Sequence, residues 1–567
     1  MTPQQKADRL VTLAGESFPD PPLTEGEVGM LCAAALGRPA SLRSGNALAD
    51  KPENAPKWDA GRVVRSGLLR WLCSQAQAAR LVDPAGVRVT GARIEGRLDL
   101  LSVRVPFPLA LFECAIPAGL ALLDADLPGL SLDGSHTGAI SADRLNVAGG
   151  VFLRAGFHAS GEVRLVGARV GGDLDCSGGT FEGAETQLPD GTKTRVALGA
   201  DGIEVHGTVS LGDGFRASGE VRLLGAHVGG NLECIGGVFE GAETQRPDGT
   251  KAKVALSADR AEVTGGVFLQ EGFRASGEVR LLGVRVGGDL SCRGGTFKNP
   301  GGDALFAQAT RVTDGILLDG GCRMEGTLSL NHAHARVLVD DPACWPGRGQ
   351  LVLDGFTYEA VHRTTEAGKR LDWLERQYPE SPKDWRGTFR PQPYDQLARV
   401  LRQMGHDGDA REVLVGKHRH LRQYGRLSPG RQLWDRFLGF AVGHGHKVWR
   451  LGYWFLAFFL LGTLVFWQAG RAGLMVSVCT PKDAAAEPAG WFCPWVYSLD
   501  VLLPIVNLHQ EESWRPDPSR GARILWPGWD VPWAGGAVRC YFWGQILAGW
   551  VLATLLVAAL TGIIRRE

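Results

Sequence analysis

Residues 157–176 read FHASGEVRLVGARVGGDLDC, residues 215–234 read FRASGEVRLLGAHVGGNLEC and residues 273–292 read FRASGEVRLLGVRVGGDLSC. Successive copies are offset by 58 residues. Inside each copy apolar residues come as apolar-x-apolar pairs, Val163/Leu165 and Leu174/Cys176 in the first, Val221/Leu223 and Leu232/Cys234 in the second. Alternation of that kind is the period of a β-strand, whose successive side chains point to opposite faces. Within VRLVGARVGGD (163–173), Val163, Leu165, Ala168 and Val170 point inward at spacings of two and three, leaving Arg164 and Arg169 outside.

The rhythm extends outward from these copies. Pairs recur every 10 to 12 residues from Val87/Val89 and Leu98/Leu100 through Ile316/Leu318 and Leu328/Leu330, about 250 residues in all. Short strands between Gly-rich corners, each burying its apolar side only against the next copy, form a quasi-one-dimensional parallel β-solenoid. Two 11-residue units per turn fit the spacing. Over residues 85–340 the pattern resembles pentapeptide-repeat and related quadrilateral β-helix proteins. The fold class expected is therefore mainly β: a parallel β-solenoid of quadrilateral β-helix type, followed by a helical hairpin and two transmembrane helices.

Cys176, Cys234 and Cys292 recur at one position of the repeat, where each replaces the Leu of an apolar pair; they are expected as small buried hydrophobes rather than a metal column or a redox ladder. FEGAETQLPDGTKTRVAL (181–198) and FEGAETQRPDGTKAKVAL (239–256) read as protruding hairpins with PDGT as the turn. An open solenoid end is an unpaired sheet edge and must be covered. Residues 60–80, with Val64, Leu68, Leu69 and Leu72 at helical spacing, are the expected N-terminal cap. QPYDQLARVLRQMGHDGDAREVLVGKHRHLRQYG (392–425) reads as two helices broken at Gly405–Gly408, a bridging or docking hairpin. The domains expected are 1–80 (helical region and cap), 81–360 (solenoid), 365–445 (hairpin and basic juxtamembrane segment) and 446–567 (membrane domain).

Leu451–Phe466, extendable to Trp467, and Tyr541–Ile564 are uncharged and long enough for transmembrane helices. Arg431, Arg436, Lys447 and Arg450 precede the first and Arg565 and Arg566 follow the second, with only Arg471 and Arg539 close to the spans between them. The positive-inside rule then places both termini and the solenoid in the cytoplasm, and the intervening loop outside. Residues 401–450 hold ten Lys/Arg against four Asp/Glu, so this segment can lie against an anionic leaflet of the lipid bilayer. The N-terminus carries no secretory signal pattern. The eight cysteines up to Cys344 are expected as thiols, and Cys479 with Cys493 as an external disulfide.

WVYSLDVLLPIVNLHQEESW (495–514) is too short to span a bilayer. On a helix Tyr497, Asp500, Pro504 and Asn507 fall near one face. Two readings remain open: a re-entrant pore lining or ion site, or an interfacial anchor in which Asp500 snorkels to water.

Composition excludes some functions. Lys plus Arg equals Asp plus Glu at 61 each, which offers no global field for nucleic acid. The chain lacks GxGxxG after a strand, GxxxxGK[ST], GxSxG, HExxH and CxxC, so no cofactor is expected. The pairs His332/His334, His418/His420 and His444/His446 have no third ligand at suitable spacing. WDAGRVVRSGLLRWL (58–72), GARIEGRLDL (91–100), PYDQLARVLRQMGHDGDAREVL (393–414) and YSLDVLLPIVNLHQ (497–510) resemble a group of bacterial proteins termed membrane-associated oxidoreductases. That resemblance implies an oxidoreductase, but no residue pattern cradles a flavin or nicotinamide. The residues point first to a non-enzymatic, membrane-anchored solenoid that senses or scaffolds, with a protein partner of unknown identity on its surface and homo-oligomerisation through the membrane domain. A two-span channel gated by the solenoid is the alternative.

Overall fold

The computed structural model describes residues 1–187, 193–245, 251–380, 389–443, 449–478, 491–523, 530–531 and 533–561. They fall into two compact units, Met1–Trp385 with Arg390–Ala410, and Arg386–Phe389 with Arg411–Glu567.

The first unit is a parallel β-solenoid of about eleven turns. One turn runs Asp126–Leu127, Leu130–Ser131, His136–Thr137 and Ile140–Ser141, four two-residue strands. The next begins at Asn146–Val147, in parallel register on Asp126–Leu127. Each side has room for one inward and one outward residue, which is why the sequence shows single apolar pairs and not long alternating runs. Leu109, Leu130, Val151 and Leu174 stack directly on one another. Some corners take a left-handed residue: Gly167 and Gly225 supply it in some turns, and Asp124 and Arg144 (φ 53° each) in others, where Arg144 is held by Asp124.

The core has an organisation that the apolar pairs do not reveal. Phe157, Phe181, Phe215, Phe239, Phe273 and Phe297 form a buried column with ring centroids 5.1–5.3 Å apart. The rings alternate between two inward positions. Phe215 lies two residues before Ala217, which pairs with Phe239, and Phe239 in turn follows Gly237 by two. A β-carbon on Gly237 would lie 2.5 Å from the Leu211 carbonyl oxygen and 2.9 Å from the Phe239 ring. Large and small residues thus interdigitate from turn to turn. Cys176, Cys234 and Cys292 are buried as expected. They do not form a column of adjacent thiols, because the turns carrying Leu211 and Leu269 lie between them. Burial pushes the Cys292 thiol up to about 12.

The insertions are antiparallel hairpins, Ala184–Gln187 with Lys193–Gly199 and Ala242–Gln245 with Lys251–Ser257. Lys193 stands opposite Gln245, so the hairpins meet edge to edge. Their PDGT turns lie outside the described residues.

Both solenoid ends are covered. At the N-terminal end stand α1 (Pro3–Ser17), α2 (Glu25–Ala35), α3 (Ser66–Ser74) and α4 (Ala76–Ala79). The cap is not only helical: Ala40–Ser41 pairs with Val89–Thr90, and Val63–Arg65 with Arg93–Glu95, so the chain adds strands ahead of the first turn. At the other end α5 (Ala367–Glu375) brings Arg370 onto Asp340, with nitrogen–oxygen distances of 2.6 and 2.8 Å and both side chains buried. In α6 (Gln392–Gln403), the Gln392 and Gln396 side chains bond the backbone of Gly355, Phe356 and Tyr358. The first helix of the expected hairpin is therefore the solenoid's end cap, and its glutamines satisfy backbone groups that another turn would otherwise bond.

In the second unit, α7 (Asp407–Tyr424, entered from the first unit) and α8 (Pro429–Val442) lead to α9 (Arg450–Arg471). Then come α10 (Pro494–Leu502), α11 (Gln510–Ser513) and α12 (Ala534–Leu560). Arg450–Arg471 and Ala534–Ala558 are long and apolar enough to cross a membrane. The helix α12 begins seven residues before the apolar run at Tyr541 and carries Arg539 in its first turns. Met475–Ser477 pairs antiparallel with Trp514–Pro516, closing off the excursion that contains α10.

Candidate functional site

Proline at its first position starts α10, and its small and polar residues fix where it packs. A β-carbon on Gly462 of α9 would run into the Ser498 hydroxyl and Gln545, and one on Gly549 of α12 into the Leu502 carbonyl. These glycines let α10 wedge between the two long helices near their midpoints. The Ser498 hydroxyl donates to the Phe459 carbonyl at 2.9 Å, and Gln545 Nε2 donates to the Ser498 carbonyl at 2.9 Å. Tyr497 is fully buried against Phe466, with its hydroxyl donating to the Trp514 carbonyl at 3.1 Å. Within its unit the segment goes in as a helix and returns as a loop.

That return determines what Asp500 does. The helix stops at Leu502 and the chain turns back through Leu503–His509, where His509 is left-handed (φ 61°). Turning back leaves backbone amides without helical or strand partners. Asp500 Oδ1 accepts from the Leu508 N–H at 2.6 Å, and Oδ2 from the Gln510 and Glu511 N–H groups at 2.9 and 2.8 Å. The carboxylate is buried and spent on the backbone. The Asn507 side chain is engaged elsewhere: it is exposed, with Nδ2 donating to Glu512 at 2.9 Å. The expected Tyr497–Asp500–Pro504–Asn507 face requires a helix through 507, and the helix ends five residues earlier.

The other sequence candidates disperse. Cys479 lies outside the described residues, and with it the proposed Cys479–Cys493 pair; Cys493 immediately precedes α10. His332 and His334 are not joined by a third ligand: His332 occupies a left-handed corner, and His334 Nδ1 is 3.0 Å from the Thr357 hydroxyl. His418 pairs with Asp435 at 3.2 Å, and His420 is buried against Tyr424. His444 and His446 lie outside the described residues. Among the described residues no three His, Cys, Asp or Glu side chains are set to hold a metal ion.

A lateral groove on the solenoid was missed. It encloses about 420 Å³ and is lined in part by Glu53, Arg93, His136, Thr137 and His158. The His136 and His158 rings sit 5.0 Å apart, and burial together with the neighbouring His158 lowers the His136 pKa. The signal for it is that the two histidines occupy one register position in successive turns.

The chain matches no family model, no characterised protein and no solved structure. The solenoid body and the two apolar helices that accompany the membrane-associated oxidoreductase resemblance are present. No match supports the oxidoreductase term itself.

Proposed function

We propose that this is a membrane-anchored β-solenoid protein, non-enzymatic, whose solenoid is a sensing or scaffolding surface. The observation that carries the anchoring is the exposure of the two apolar helices: their most apolar windows are only 17% and 22% buried. A core helix of a soluble protein hides its apolar faces; here Leu456, Leu460, Leu464, Leu547 and Val557 are left outside. Lipid is the solvent for such faces. The occupied Asp500 carboxylate favours an anchor over a conductance pathway. The positive-inside bias assigns the solenoid to the cytoplasm and the stretch carrying α11 to the outside.

Single-cysteine variants test this placement. Cys234 cannot report, because it is buried in the solenoid core. In intact cells a membrane-impermeant thiol reagent should label Glu512→Cys and spare Glu204→Cys, both of which replace exposed side chains. Labelling of Glu204→Cys in sealed cells overturns the topology.

A further inference from the structure

We propose that the cavity between α7, α8 and the first turn of α9 binds the phosphate headgroup of an anionic glycerophospholipid. The cavity, of about 250 Å³, is lined by Arg419 and Arg422 from α7, Arg436, Gly439 and Phe440 from α8, and Arg450 from α9. The arginines converge because Arg419 and Arg422 are three apart on one helix and Arg436 and Phe440 four apart on the next, spacings that share a face.

Four guanidiniums around one small cavity repel each other unless an anion joins them. Asp435 supplies one carboxylate, taken up by Arg422 and His418. Among the described residues Arg419, Arg436 and Arg450 make no ion pair; Arg450 donates to the Gly439 carbonyl at 3.3 Å and lies over the Trp449 ring. The cavity therefore keeps a surplus of positive charge. Guanidinium forks match phosphate oxygens in pairs, so a phosphate is the anion that the lining suits best.

Position and surroundings select a lipid over free phosphate. Arg450 is the first residue of the apolar helix α9, so the cavity stands at the level where a bilayer's hydrocarbon would give way to headgroups. Next to it α8 presents an uncovered apolar face: Leu433 is 70% and Phe440 65% exposed, with Trp434 and Phe437 stacked between them. Phe440 also packs on Trp454 at 4.9 Å, which ties α8 to α9. A helix with aromatic and leucine side chains out on one side and arginines beside them lies in the interface plane. Acyl chains along Leu433, Phe437 and Phe440 would accompany a headgroup held by the arginines.

This site rests on the membrane reading above, and the test separates the two. The full-length protein, purified in a neutral detergent, is analysed by native mass spectrometry with phosphatidylglycerol and phosphatidylcholine of identical acyl chains. The wild type should retain the anionic lipid about tenfold over the zwitterionic one. Arg419→Gln/Arg436→Gln should bring retention to parity while leaving the melting temperature unchanged. Arg216→Gln/Arg274→Gln, which removes equal charge from exposed solenoid positions, should keep the preference. Equal retention by a wild type extracted from the membrane fraction overturns the site alone. Displacement of bound lipid by millimolar inorganic phosphate overturns the lipid as its ligand. Recovery of the chain in the soluble fraction without detergent overturns the membrane reading itself.

Discussion

Replacing Asp500 probes how the chain can turn back between two apolar helices. Its carboxylate accepts from the N–H groups of Leu508, Gln510 and Glu511 at 2.6, 2.9 and 2.8 Å. A hydrogen bond to a charged group contributes about 1.5–3 kcal/mol. Asp500→Ala removes every acceptor from three donors at once, so even the lower figure gives a loss of about 4 kcal/mol. Asp500→Asn is milder: its one oxygen can still serve Gln510 and Glu511, while its amide faces the Leu508 N–H donor to donor, for a loss of about half that. Thermal unfolding of detergent-purified protein reads the size of the effect. Hydrogen exchange at residues 508–511 reads its place, since those amides should lose protection before the helices do. An Asp500→Ala protein that melts as the wild type does, with protection at 508–511 intact, would refute the capping role.

Four further substitutions address the solenoid. Phe239→Ala opens a cavity between Phe215 and Phe273 and should cost about 3–5 kcal/mol by chemical unfolding; Gly237→Ala should also destabilise, because its β-carbon meets the Leu211 carbonyl, and wild-type stability of both would dissolve the column. Arg370→Met leaves Asp340 buried without its cation and should cost about 3–5 kcal/mol, read as a lower unfolding midpoint. Burial pushes the Glu220 carboxyl up to about 7. The folded chain then holds a proton that the unfolded chain releases above about 4.5, so this contribution is complete below that range and is lost as pH rises through 7. Glu220→Gln should therefore flatten the fall in melting temperature between about pH 5 and pH 8.

The solenoid could be read because its unit is local: one inward residue per two-residue strand leaves a period-two trace in any ten consecutive residues. The alternation of Phe215 with Ala217 and Gly237 with Phe239 could not, because it links residues about twenty positions apart and becomes visible only once the turns are in register. The same holds for His136 above His158. The apolar helices needed only length and composition. Asp500 stood out as a carboxylate among apolar residues, but its partners are backbone amides eight to eleven residues further on. No side-chain pattern encodes backbone amides. Where α10 stops decides whether Asn507 shares its face, and the apolar run continues past that stop through Pro504, Ile505 and Val506. The basic excess of residues 401–450 was plain from the sequence. The convergence of Arg419, Arg422, Arg436 and Arg450 depends on three helices meeting.

The membrane reading requires that α9 and α12 hold the protein in a bilayer. Alkaline carbonate extraction of membranes from cells expressing the full chain, followed by flotation on a density gradient, tests it most directly. The chain should resist extraction and float with the lipid, whereas a chain ending at residue 445 should be recovered in the supernatant. Full-length protein released by carbonate, or recovered soluble without detergent, would contradict it.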